Sequence, residues 1–187
     1  MVAEQNPFIP KKASVPKREL AEDVFPSPII DKPGVKLYFG EDHEFLRPKG
    51  VIGLKIMLPK DKMSIQHRVY SRLYAACVKE SLNELSYPAK QAGLNYNIRD
   101  SYEGILLDVN GYKESAMKLY ELMLDHMVDF SVTDEQFDAI KDKIVRDYEN
   151  FALSDAHQQT RELSSDVMFG IKYTWKDALP VVKESSL

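Results

Sequence analysis

Four histidines are the first place to look for chemistry: His43, His67, His126 and His157, separated by 24, 59 and 31 positions. None forms the i, i+4 pair that sets two imidazoles on one helix face to hold zinc, and the string H-x-x-E-H is absent. His43 lies in Asp42-His43-Glu44, three donor-bearing residues in a row. Consecutive side chains seldom converge on one ion, so this reads as a solvated loop. The single cysteine, Cys77, excludes an internal disulfide and any multi-cysteine metal site. It falls on an apolar helical stripe, where a free thiol behaves as a small hydrophobe.

Other signatures are equally thin. There is no Gly-x-Ser-x-Gly elbow and no phosphate-cradling glycine loop. Between Asp134 and Glu149 six acidic residues face three basic ones, but they interleave with apolar positions and read as a wet helix face. Tyr38, Tyr102 and Tyr112 stand near strand ends, where they either line a peptide groove or pack in the core or at its rim; core or rim packing is the simpler reading. The residues by themselves specify no catalytic, cofactor-binding or metal-binding position.

The elements that would carry such groups are legible. Residues 1–34 hold six of the ten prolines and show no sustained period, so they read as an extended lead segment. Phe8, Ile9, Val24, Phe25, Ile29 and Ile30 suggest that this lead docks on something. After the Pro33-Gly34 turn, Val35–Phe39 reads as a strand. A second strand follows Gly50, with apolar residues on both faces, which predicts cover on both sides. From Ser64 to Leu85 the period is helical: Val69, Leu73 and Cys77 form one i+4 series, and Tyr70, Tyr74 and Val78 another. Pro88 is expected to interrupt this helix near Tyr87, with Gly93 as a C-terminal cap. Residues 94–110 alternate as a hairpin about Gly104. Helices follow: a stripe of Ala116, Tyr120, Met123, Met127 and Phe130, then a Thr133/Gln136 capping box leading Phe137, Ile140, Ile144, Tyr148 and Phe151. A further helix spans 156–168, and another begins near Trp175. The pattern is α+β, an antiparallel sheet packed by helices, with residues 35–187 as the domain proper.

Composition excludes some functions. Twenty-five Lys and Arg against 29 Asp and Glu leave a charge of −4, against a general nucleic-acid binder. No apolar run approaches the roughly 20 residues that cross a bilayer, and Met1 to Asn6 lacks a signal-peptide pattern. The compartment stays open.

Several landmarks, taken in order, resemble one family. Asn6-Pro7-Phe8-Ile9-Pro10 opens the chain, and Arg47-Pro48-Lys49 follows the first strand. Tyr87-Pro88-Ala89-Lys90-Gln91-Ala92-Gly93-Leu94 leads into Tyr96; then come Gly104, Gly111-Tyr112, Phe130, Phe137, Arg146, Asn150 and Trp175. This resembles the insulinase/pitrilysin family of zinc metallopeptidases (peptidase family M16), specifically the third of its four homologous α/β-roll domains, from Asn6 to about Leu179.

The resemblance implies an enzyme of two halves enclosing a chamber for peptides. It implies zinc in the first domain only, bound by the inverted motif and a distal glutamate, and a substrate-contacting arginine and tyrosine in the fourth. No family catalytic residue therefore maps onto this chain, and no cofactor is expected in it. The expected partners are the other domains and peptide substrates, in a cytoplasmic or periplasmic parent. Pro88 departs from the alanine-like residue usual at that point. A family roll continues past Trp175, so the chain is expected to be a truncated roll that self-associates through an uncovered sheet edge or apolar surface. Two rival readings are an inactive paralogue serving as a scaffold and an independent peptide-binding module that uses the Leu94–Val109 hairpin.

Overall fold

The structure is a computed structural model that describes residues 5–11, 14, 25–59, 64–170 and 173–187. Its elements run β1 (Ser27–Lys32), β2 (Val35–Phe39), β3 (Lys49–Met57), α1 (Ile65–Ser81), α2 (Asn83–Gln91), β4 (Asn95–Ser101), β5 (Gly104–Tyr112), α3 (Lys113–Val128), α4 (Asp134–Ala152), α5 (Ala156–Phe169) and α6 (Trp175–Glu184).

Among the described residues two antiparallel sheets form: the β1–β2 hairpin, and a three-stranded sheet in the order β3-β5-β4. In the second sheet Ile52 pairs with Val109, Leu54 with Leu107 and Ile98 with Leu107, so one apolar face is shared by all three strands. Gly104 fixes the β5 end of that register. Its φ is +141°, and a Cβ there would run into the Ile56 carbonyl oxygen, a conformation and an approach open only to glycine. Helices α1 and α3 cover the apolar face. Val78 of α1 and Leu82, its C-cap, meet Ala116, Leu119 and Met123 of α3 over Ile98, Leu107 and Val109.

A second cluster lies on the opposite side of α1. Val69, Leu73 and Cys77 pack there against Phe137 and Ile144 of α4 and Ala178 and Val182 of α6. The two i+4 series read in the sequence are thus two buried faces of one helix. Tyr74 and Val78 belong to the sheet side, although Tyr70, from the same series, stays exposed. The α4 start is the expected capping box: the Gln136 amide donates to Thr133 Oγ1, and the Thr133 amide donates to Gln136 Oε1.

Three expectations are corrected. Residues 27–32, read as part of a stretch without strand period, form β1. Pro26 and Pro28 mask a strand whose pairing comes from β2 across the Pro33-Gly34 turn. The helix does not stop near Tyr87: the break falls at the fully buried Leu82, and α2 continues through Pro88 to Gln91. Pro88 has no N–H to offer the Glu84 carbonyl, but its own carbonyl accepts from Asn6 Nδ2 at 2.7 Å, which ties the lead segment to the helix. Finally, among the described residues β3 is covered on one face only; Val51 is 77% and Met57 59% exposed on the other.

The lead docks through Phe8, 6% exposed within the sheet-side core. Ile9, Phe25, Ile29 and Ile30 are exposed, and Val24 lies outside the described residues.

Candidate functional site

The residues singled out for chemistry are scattered by the fold. His43 is in the β2–β3 loop, His67 in the first turn of α1, His126 near the end of α3, and His157 in the first turn of α5. Among the described residues no three His, Cys, Asp or Glu side chains gather into a group able to hold a metal. The residues described here therefore do not fit a zinc ion, and no chemical step through one is assigned to them.

Several of the candidates have structural occupations. Asp42 organises its loop: Oδ1 accepts from the backbone amides of Glu44 (3.0 Å) and Phe45 (2.8 Å). These donors, Phe45 foremost, hold its carboxyl below the usual aspartate range. His67 Nδ1 lies 2.8 Å from Ser64 Oγ, the α1 N-cap, which also accepts from the His67 amide. Cys77 is buried in the α1–α4–α6 cluster, and burial pushes its thiol up, away from a reactive thiolate. On α4, Asp147 pairs with Arg72 (3.4 Å) and Glu149 with Lys183 (2.8 Å), so two of the interleaved carboxylates fasten helices together.

The three tyrosines do not line one groove. Tyr102 sits in the β4–β5 turn and Tyr112 at the far end of β5, separated by ten residue steps, or roughly 30 Å of strand. Tyr38 is on the separate β1–β2 hairpin. Each of the first two carries a cation on its ring: the Arg68 guanidinium at 4.9 Å from Tyr102, and Lys49 Nζ at 5.6 Å from Tyr112.

One juxtaposition was invisible in the sequence. An open cleft of about 500 Å³, where α1 gives way to α2 beside the end of α3, is lined by Glu80, Ser81, Glu84, His126, Asp129 and Phe130 among others. In its wall Ser81 Oγ and His126 Nε2 are 2.9 Å apart, across 45 positions of sequence. The pair has the composition of a nucleophile and base but not the wiring. Ser81 Oγ donates to the Val78 carbonyl at 2.9 Å, so His126 must donate to Oγ rather than take its proton. No carboxylate hydrogen-bonds the His126 ring among the described residues, so no triad is assembled. The pair joins the ends of two helices. No spacing rule links positions this far apart.

Residues 2–181 match the family model described as the middle or third domain of peptidase M16. The chain is 30% identical over 175 residues to insulin-degrading enzyme of Bos taurus and 29% identical over 175 residues to that of Homo sapiens. Each match covers 94% of this chain and 17% of the relative. The fold superposes on the crystal structure of pitrilysin with a TM-score of 0.83 at 19% identity, covering 100% of this chain and 20% of pitrilysin. The chain thus spans about a fifth or less of the length of the proteins it matches. By a family match that takes in nearly all of its residues, the chain belongs to the M16 peptidases, within the part described as their middle or third domain.

Proposed function

We propose that this chain is a non-catalytic segment of an insulinase/pitrilysin-like zinc metalloendopeptidase, forming part of the wall of a chamber in which peptides are degraded. The observation that carries this reading is the match of residues 2–181 to a middle or third domain, in a chain spanning about 17% of insulin-degrading enzyme. The scattering of His43, His67, His126 and His157 over four separate elements supports it. The segment's contribution is confinement: a closed wall limits substrates by size, and burial of the peptide offsets the entropy lost on ordering it. Zinc-polarised water would attack the peptide carbonyl in another domain.

A peptidase assay tests the proposal. The purified 187-residue chain, given zinc and a mixed fluorogenic peptide library, should cleave nothing. The longer protein containing it should cleave, provided that its reading frame encodes an upstream H-x-x-E-H. Stoichiometric zinc binding with cleavage by the chain alone would overturn the proposal. A longer protein that lacks the motif and does not cleave would replace it with the scaffold reading.

A further inference from the structure

Helix α5 is held differently from every other helix. Among its described side chains none belongs to either buried apolar cluster, and Leu163, Val167 and Met168 are exposed, the last two at 82%. Among the described side chains of α5 the buried one is charged. Asp166 is 7% exposed, and its Oδ1 is enclosed with no hydrogen-bond partner. A carboxylate in that position costs several kcal/mol of desolvation unless a cation meets it directly or it takes up a proton.

The cation that acts on it, Arg68, does not pair with it. Arg68, on α1, donates from Nη1 to the Tyr173 carbonyl at 2.8 Å and lays its guanidinium over the Tyr102 ring. No ion pair forms between Arg68 and Asp166 among the described residues. Arg68 of α1 acts on the charge of Asp166; Tyr102 of the β4–β5 turn feels Asp166, Glu162 of α5 and Asp100 of β4 together; and Tyr173, after α5, takes the Arg68 hydrogen bond. Among the described residues Arg68 favours the ionised form of Asp166, while Glu162, four positions earlier on the same helix, is a like charge at i, i+4 that disfavours it.

We propose that α5 is a pH-gated element: it docks against the start of α1 and the β4–β5 turn when Asp166 carries a proton, and loosens when Asp166 ionises. Burial raises the Asp166 carboxyl above the ordinary aspartate value, with Arg68 as the opposing influence. The sign follows from linkage. Docked α5 binds the proton more tightly than undocked α5, so docking is firmest below the ordinary aspartate value of about 3.9 and weakens as pH rises through the docked-state value.

Hydrogen exchange of the whole 187-residue chain between pH 4 and 7.5 tests this, with protection corrected for intrinsic rates and α4 amides as the internal reference. Protection of residues 156–169 relative to α4 should fall by up to about tenfold per pH unit and then level off, as one proton requires. Asp166→Asn keeps the shape and removes the charge, so protection should become flat with pH and match the low-pH value of the parent chain. Glu162→Gln should keep the transition and move it to lower pH. Relative protection that does not change with pH in the parent chain, or that keeps its transition in Asp166→Asn, would overturn the proposal.

Discussion

Asn6 Nδ2 donates to the Pro88 carbonyl at 2.7 Å across 82 positions of sequence, while Asn6 Oδ1 accepts from the Phe8 amide at 3.0 Å. One side chain therefore both shapes the lead segment and pins it to α2, in the register that delivers Phe8 to the core. Phe8→Ala should lower the unfolding free energy by roughly 3–5 kcal/mol. Asn6→Ala should lower it by about 1 kcal/mol. Urea unfolding checks both, and wild-type midpoints in the two variants would show that the lead is not docked.

Gly104 and Gly50 offer a matched comparison on the same pair of strands. Gly104→Ala puts a side chain at φ +141° against the Ile56 carbonyl and should cost at least about 1 kcal/mol. Gly50→Ala meets nothing within 4 Å and should stay within about 0.5 kcal/mol of wild type. Equal thermal midpoints for the two variants would contradict the assigned β3–β5 register.

Cys77 should be silent to thiol reagents. Buried among Val69, Leu73, Phe137 and Val182 with its thiol pushed up, it presents little thiolate at pH 8. Labelling should track global unfolding in rate and become immediate in denaturant. Rapid labelling of the native chain would place the α1–α4–α6 cluster in doubt.

The Asp42 loop should respond to acid. Its carboxyl is held low by backbone amides, so the ionised form stabilises the loop above about pH 3.9, and that support is lost as pH falls through the lower folded value. The Glu44 and Phe45 amide signals should shift together in an NMR titration below that range. Unchanged signals would mean that these amides are not bonded to Asp42.

The β1–β2 hairpin places Ile30, Val35, Leu37 and Phe39 on one uncovered face. Two-stranded hairpins of this size are marginal in water, and this face invites burial. The isolated chain should show concentration-dependent sedimentation at micromolar levels, and Leu37→Lys should reduce it. A clean monomer across that range would tell against the self-association expected from the sequence.

What the sequence made readable was whatever local pattern dictates. The Thr133/Gln136 box, the β4–β5 alternation and the double stripe on α1 all follow from the spacing of neighbours. What it hid depends on partners far along the chain. β1 is a strand because β2 pairs with it, in spite of Pro26 and Pro28. Leu82, not Pro88, marks the helix break because Leu82 is anchored in the core. Val51 looks like a core residue, yet it is 77% exposed because, among the described residues, no layer packs on that face. The Ser81–His126 contact and the buried Asp166 come from elements joined only in three dimensions, beyond the reach of any motif.

Helix α1 is gripped along both flanks, by Val78 and Leu82 toward the sheet and by Val69, Leu73 and Cys77 toward α4 and α6. It cannot roll about its own axis to relieve a misfit on one flank without dragging large side chains out of place on the other. Strain introduced at the sheet will consequently be felt by the C-terminal helices, with α1 as a stiff axle that couples the two ends of the molecule.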